Sequence, residues 1–139
     1  MNGRLIAFLL FAPVIAGAQT VTGSWRIVGD TNAMPGLTLK LVELGPNLTE
    51  GIIVRGTWTS LRVGCEPASS VACYVQSDAI GLRIGAHLNL ALMPASTFGL
   101  AGSLSLDLAS GTSMRGGVGV TFSREQLYTT ENVTFARIK

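Results

Sequence analysis

From Ile80 to Leu92 every second residue is apolar: Ile80, Leu82, Ile84, Ala86, Leu88, Leu90 and Leu92 alternate with Gly81, Arg83, Gly85, His87, Asn89 and Ala91. A helix returns to the same face every 3.6 residues, so strict alternation marks extended chain with one face turned to a core. Met93-Pro94-Ala95-Ser96-Thr97 interrupts the pattern. Phe98, Leu100, Gly102, Leu104, Leu106 and Leu108 then resume it, with Ala101, Ser103, Ser105 and Asp107 between them. The two runs read as a hairpin with one apolar and one polar face. A loop centred on Ala95 sets Leu90 opposite Leu100, Leu88 opposite Gly102 and Ile84 opposite Leu106. The same register pairs Arg83 with Asp107 on the polar face, a favourable cross-strand contact.

Shorter alternations flank this hairpin. Val21, Gly23, Trp25 and Ile27 form the first, and Leu37, Leu39 and Leu41 form the second, after Pro35-Gly36. Gly45-Pro46-Asn47 reads as a turn into a long segment, Gly51–Val63, that carries Trp58. Ala72–Ser77 follows, then a glycine-rich turn over Gly111–Gly117, then Val118, Val120 and Phe122, and Asn132–Ile138 closes the chain. Ser123–Glu131 is the least regular stretch. About eight strands with short turns and no long amphipathic helix predict an all-β, antiparallel fold, either an up-and-down barrel or a meander sandwich. Closure removes the exposed edges that long alternating strands would otherwise present. Glycines within strands, Gly56, Gly81, Gly85 and Gly102, suit the bends that closure needs. Whether the leucine-rich interior is packed or partly hollow stays open at this level.

The first 18 residues read as a cleavable signal peptide: a basic start with Arg4, an apolar run from Leu5 to Ile15, and the small-x-small site Ala16-Gly17-Ala18. The run is 11 residues, whereas a spanning helix needs roughly 20. Cleavage after Ala18 would leave one domain, residues 19–139, outside the cytoplasm with no membrane-spanning helix expected in it. In that oxidising compartment Cys65 and Cys73 are expected to form one disulfide around a turn-rich loop. With 10 Lys and Arg against 8 Asp and Glu, and no basic run, nucleic-acid binding is not expected.

Gly23-Ser24-Trp25 on the first strand and Arg137 on the last resemble the calycin arrangement shared by lipocalins, fatty-acid-binding proteins and, more loosely, avidins. The resemblance implies that Trp25 closes one end of a barrel with Arg137 stacked on it, Gly23 beside them. Physical chemistry supports such a pair, since a guanidinium over an indole gains a cation–π contact and supplies donors to nearby carbonyls. A second Gly56-Thr57-Trp58 recurs mid-chain and is similar to the GxW hairpins of small exported bacterial β proteins. The Thr-Asp-Tyr motif of lipocalins does not occur, and no C-terminal helix is indicated.

Chemistry-bearing residues are sparse. His87 is the only imidazole, on the polar face of its strand with Ser103 opposite it in the expected register. A His–Ser pair without an orienting acid and an oxyanion hole is a surface contact. The carboxylates are dispersed, no metal-ligand cluster or phosphate loop is evident, and no cofactor is implied. Asn47-Leu48-Thr49 and Asn132-Val133-Thr134 match the glycosylation sequon, which matters only in a eukaryotic host.

Three functional classes follow. The first is an exported, non-enzymatic barrel holding a small apolar ligand among Trp25, Trp58, Leu88, Leu90, Leu104 and Leu106. The second is a structural or interaction protein of the cell envelope with a filled core. The third is an outer-membrane barrel with its leucine face turned to lipid, disfavoured by the missing aromatic girdles.

Overall fold

The computed structural model describes residues 20–29, 34, 36–48, 51–61, 74–95, 100–122 and 127–139. The predicted signal peptide, its cleavage site and the Cys65–Cys73 pair lie outside them.

Eight strands form one closed antiparallel barrel in simple sequence order. They are β1 (Gly23–Ile27), β2 (Thr38–Leu48), β3 (Gly51–Leu61), β4 (Tyr74–Ile84), β5 (His87–Leu92), β6 (Leu100–Ser110), β7 (Ser113–Phe122) and β8 (Leu127–Ile138). β8 returns to pair with β1, Trp25 opposite Arg137, so the sheet has no free edge. The expected all-β barrel is therefore the fold.

Closure depends on close backbone approach at inward-facing glycines. A Cβ on Gly56 would lie 1.8 Å from the Lys40 carbonyl oxygen, one on Gly81 2.0 Å from that of Asn89, and one on Gly116 1.9 Å from that of Ser105. Each of these glycines sits opposite a leucine: Leu41, Leu90 and Leu106 in turn. The leucine fills the space the glycine leaves, and the sheet coils tightly at that point.

The chain departs from expectation in several places; two are element bounds, β4 running unbroken over Tyr74–Ile84 and β8 beginning at Leu127 instead of Asn132. The alternation from Ile80 to Leu92 is two strands joined by a two-residue turn at Gly85-Ala86, with Ile84 paired to His87. Gly85, at φ 60°, takes the first central position, as primed hairpin turns favour. Paired residues share a face, so the turn reverses parity. Leu88, Leu90 and Leu92 point inward, whereas Ile80, Leu82 and Ile84 point outward and are exposed.

Arg83 consequently faces the interior, and its expected pairing with Asp107 does not form. The β5–β6 register is also shifted by four residues: Leu88, Leu90 and Leu92 face Leu106, Leu104 and Gly102. An even shift keeps every side chain on its expected face, which is why the pattern alone does not detect it. Finally, Gly45 lies within β2, where the register slips between Leu44 and Leu48 instead of turning, and β7 begins at Ser113, so the turn there is only Gly111-Thr112.

Candidate functional site

At one end of the barrel the hairpin β4–β5, the turn β6–β7, the start of β1 and the end of β8 come together. Trp25 is fully buried there, and its Nε1 donates to the Val21 carbonyl at 2.9 Å. Arg137 Cζ stands 4.3 Å from the centroid of the indole. The guanidinium donates to the carbonyls of Gly111 (2.8 Å), Thr20 (2.7 Å) and Thr22. Gly23 sits where any Cβ would meet Arg137 Nη1 at 2.5 Å. Gly23, Trp25 and Arg137 are thus assembled as the calycin resemblance implied, and the guanidinium ties the segment before β1 and the end of β8 to the β6–β7 turn. Arg137→Met removes the stack and three charge-assisted hydrogen bonds, and is expected to cost about 2 kcal/mol in urea unfolding.

Beside this pair Arg83 and Glu43 form an ion pair within the same end, Nη2 to Oε1 at 2.8 Å and Nε to Oε1 at 3.0 Å. Thr20 donates its hydroxyl to Glu43 Oε2 at 2.9 Å. The pair fastens the segment before β1 to the barrel.

The six residues considered for an apolar ligand, Trp25, Trp58, Leu88, Leu90, Leu104 and Leu106, all point inward and are buried in one cluster with Phe135, Met114 and Met34. Trp58 Nε1 donates to the Met93 carbonyl at 3.0 Å. Met34, between β1 and β2, comes within 3.8 Å of the Cβ position of Gly102. The chain's own side chains therefore occupy the positions where a barrel ligand was expected.

A depression of about 710 Å³ lies elsewhere, on the outside of the barrel across β4 to β8. Its walls are outward residues such as Ile80, Leu82, Asn89, Ala91, Ser103 and Ser105. Leu90 and Leu104, both about 2 % exposed, lie beneath it and turn their side chains to the core. Because the outward positions of β5 and β6 carry His87, Asn89, Ser103, Ser105 and Asp107, these strands present no leucine band to a lipid phase. No helix among the described residues is long and apolar enough to cross a membrane.

At the rim of this depression His87 Nδ1 is 2.8 Å from Asp107 Oδ1, and Nε2 is 3.2 Å from Ser105 Oγ and 3.3 Å from Asn89 Oδ1. The register shift replaces Ser103 with Ser105 as the imidazole's neighbour and supplies the acid that sequence reasoning did not place. The order Asp–His–Ser follows that of an acyl-transfer triad. The surroundings do not complete one. Side-chain exposure is 42% for His87 and 71% for Asp107, and the backbone N–H groups of β5 and β6 are engaged in ladders on both sides, so these two strands offer no free donors for an oxyanion hole.

The hydrogen bond that His87 donates to Asp107 raises the His87 pKa above 6.5, against a smaller opposing effect of burial. A raised folded-state pKa means that the pair's contribution to stability is full below about 6.5 and fades as pH rises through the folded value. The contribution is small at such exposure. An NMR titration of the His87 ring is expected to show a midpoint above 6.5 that falls toward that value in Asp107→Asn.

No family model, curated protein or solved structure matches the chain. The outer surface is accordingly the remaining guide. On β2, β3 and β4 six aliphatic side chains stand in adjacent outward positions, Val42, Leu44, Ile53, Ile80, Leu82 and Ile84, each 36–55% exposed. Leu44, Ile53 and Leu82 form one row across the three strands, and Val42, Arg55 and Ile80 form the next. Exposed aliphatics on soluble monomers are mostly scattered singly, whereas here six stand together. The sequence signal for this cluster was the run Ile80, Leu82, Ile84, which the undivided alternation assigned to the core.

Proposed function

We propose that this chain is an exported, non-enzymatic calycin-like barrel whose core is filled by its own side chains and which works as an interaction protein of the cell envelope through its outer wall. The observation that carries this reading is the reversal of faces at Gly85-Ala86. It turns three branched aliphatics outward beside Val42, Leu44 and Ile53, while the positions suited to an internal ligand are packed. The Trp25–Arg137 closure supports the calycin likeness, and the signal-like N-terminus supports export, with mature protein beginning at Gln19.

A photo-reactive residue at Ile53 tests it in the native host. An adduct at Ile53, and none at exposed Ala109 on β6, is the expected result. No adduct at Ile53 overturns the reading. So does release of a stoichiometric apolar small molecule when the purified protein is denatured, which would restore the internal-ligand reading. Ester hydrolysis is expected to stay at buffer level, unchanged by Ser105→Ala. Turnover lost in that variant would overturn the non-enzymatic assignment.

A further inference from the structure

The wall of β2–β4 has an order along its strands as well as an apolar character. Nearest the closed end are Leu44, Ile53, Leu82 and Ile84, and the next row is Val42, Arg55 and Ile80. The row beyond holds Ser24, Lys40, Thr57 and Asp78, and the last holds Arg26, Thr38, Thr59 and Gln76. Arg55, Lys40 and Arg26 thus step diagonally over β3, β2 and β1 behind an aliphatic tip. All three are exposed, and none forms an ion pair among the described residues. Asp78 is the one carboxylate among these outward positions.

We propose, resting on the reading that the outer wall is the working surface, that this tip docks onto an anionic lipid surface. Aliphatic side chains of a peripheral protein sit roughly 5–10 Å into the boundary between headgroups and acyl chains. Strand residues rise about 3.3 Å each, which places Arg55 roughly 7 Å and Lys40 roughly 13 Å behind Ile53 along the strand. With the aliphatic row inserted, Arg55 comes level with the phosphates and Lys40 lies just outside, within a Debye length of the surface charge. A second copy is a poorer occupant, because a two-fold contact through this face sets Arg55 and Lys40 against their own kind with only Asp78 to offset them. An uncharged apolar partner would leave Arg55 desolvated without a counter-charge.

Co-sedimentation of the mature protein with vesicles tests this. Phosphatidylglycerol–phosphatidylethanolamine vesicles are expected to retain it at least about tenfold better than phosphatidylcholine vesicles, with binding weakened by salt. Ile53→Asp is expected to lower retention about tenfold through lost apolar contact and added negative charge, and Lys40→Gln with Arg55→Gln about tenfold while abolishing the lipid preference. Ala109→Asp on β6 reports folding and surface charge away from the wall, and is expected to bind as the parent does. Equal retention by neutral and anionic vesicles, retention unaffected by Ile53→Asp, or a stable dimer that buries Ile53 each overturns the proposal. If vesicles fail while the photo-reactive residue at Ile53 captures a protein, the lipid surface is wrong and the outer-wall reading stands. If both fail, both fall.

Discussion

Replacing Glu43 by Leu, or Arg83 by Met, is expected to destabilise the barrel by about 3–5 kcal/mol, whereas replacing both together restores most of the loss. The side chains of Arg83 and Glu43 are only 10% and 11% exposed, so either partner left alone is a charge held away from water. The double variant removes both charges and substitutes apolar volume inside an apolar barrel. Recovery stays incomplete for a specific reason. Arg83 Nη1 also donates to the Gly85 carbonyl, and Thr20 donates to Glu43, so two polar groups lose their partners in the double variant. Urea unfolding of the four proteins gives the coupling energy directly. Additive losses would mean that the two residues stabilise the closed end independently.

Gly81→Ala is expected to cost about 4 kcal/mol or more, which for a domain of this size removes much of its stability. The added Cβ would lie 2.0 Å from the Asn89 carbonyl oxygen and 2.8 Å from the Leu90 Cα, both backbone atoms of the neighbouring strand. Neither can yield by changing rotamer, so the β4–β5 ladder must open where the sheet bends. Gly56→Ala and Gly116→Ala meet the same obstacle and are expected to behave alike. Gly111→Ala is the control: nothing lies within 4 Å of its Cβ position, and the change is expected to stay within about 0.5 kcal/mol. Thermal unfolding followed by circular dichroism separates the two outcomes. A Gly81 variant as stable as Gly111→Ala would show that the barrel closes without this close approach.

Much of the architecture is legible in the chain. Period-two alternation identifies strands because side chains of extended backbone point alternately to opposite faces. About eight such segments and the turn residues between them lead to an antiparallel barrel or a meander sandwich, and the structure is the barrel. Gly23, Trp25 and Arg137 mark the strands that meet when it closes, and Trp25 does stack under Arg137. Leu88, Leu90 and Leu92 of β5 and Leu104, Leu106 and Leu108 of β6 are inward, as their spacing predicts.

What the alternation does not carry is the absolute direction of a face. Ile80 to Leu92 keeps one rhythm through Gly85-Ala86, yet the two-residue turn exchanges inside for outside. Arg83 therefore meets Glu43, 40 residues away in sequence, and Asp107 meets His87. The Ser105–His87–Asp107 cluster depends on the β5–β6 register, which a shift of four residues changes without disturbing any face.

The residue pattern by itself determined that this chain forms antiparallel strands, because that follows from local periodicity, and the short motif Gly23-Ser24-Trp25 with Arg137 led, through the resemblance it carries, to the pair that stacks at one end. The tertiary structure alone decided which aliphatics face water and which ion pair is buried. Those outcomes are set by how neighbouring strands align across the sheet, and hydrogen-bond ladders repeat every two residues, so several alignments satisfy the same sequence pattern until the whole barrel is packed.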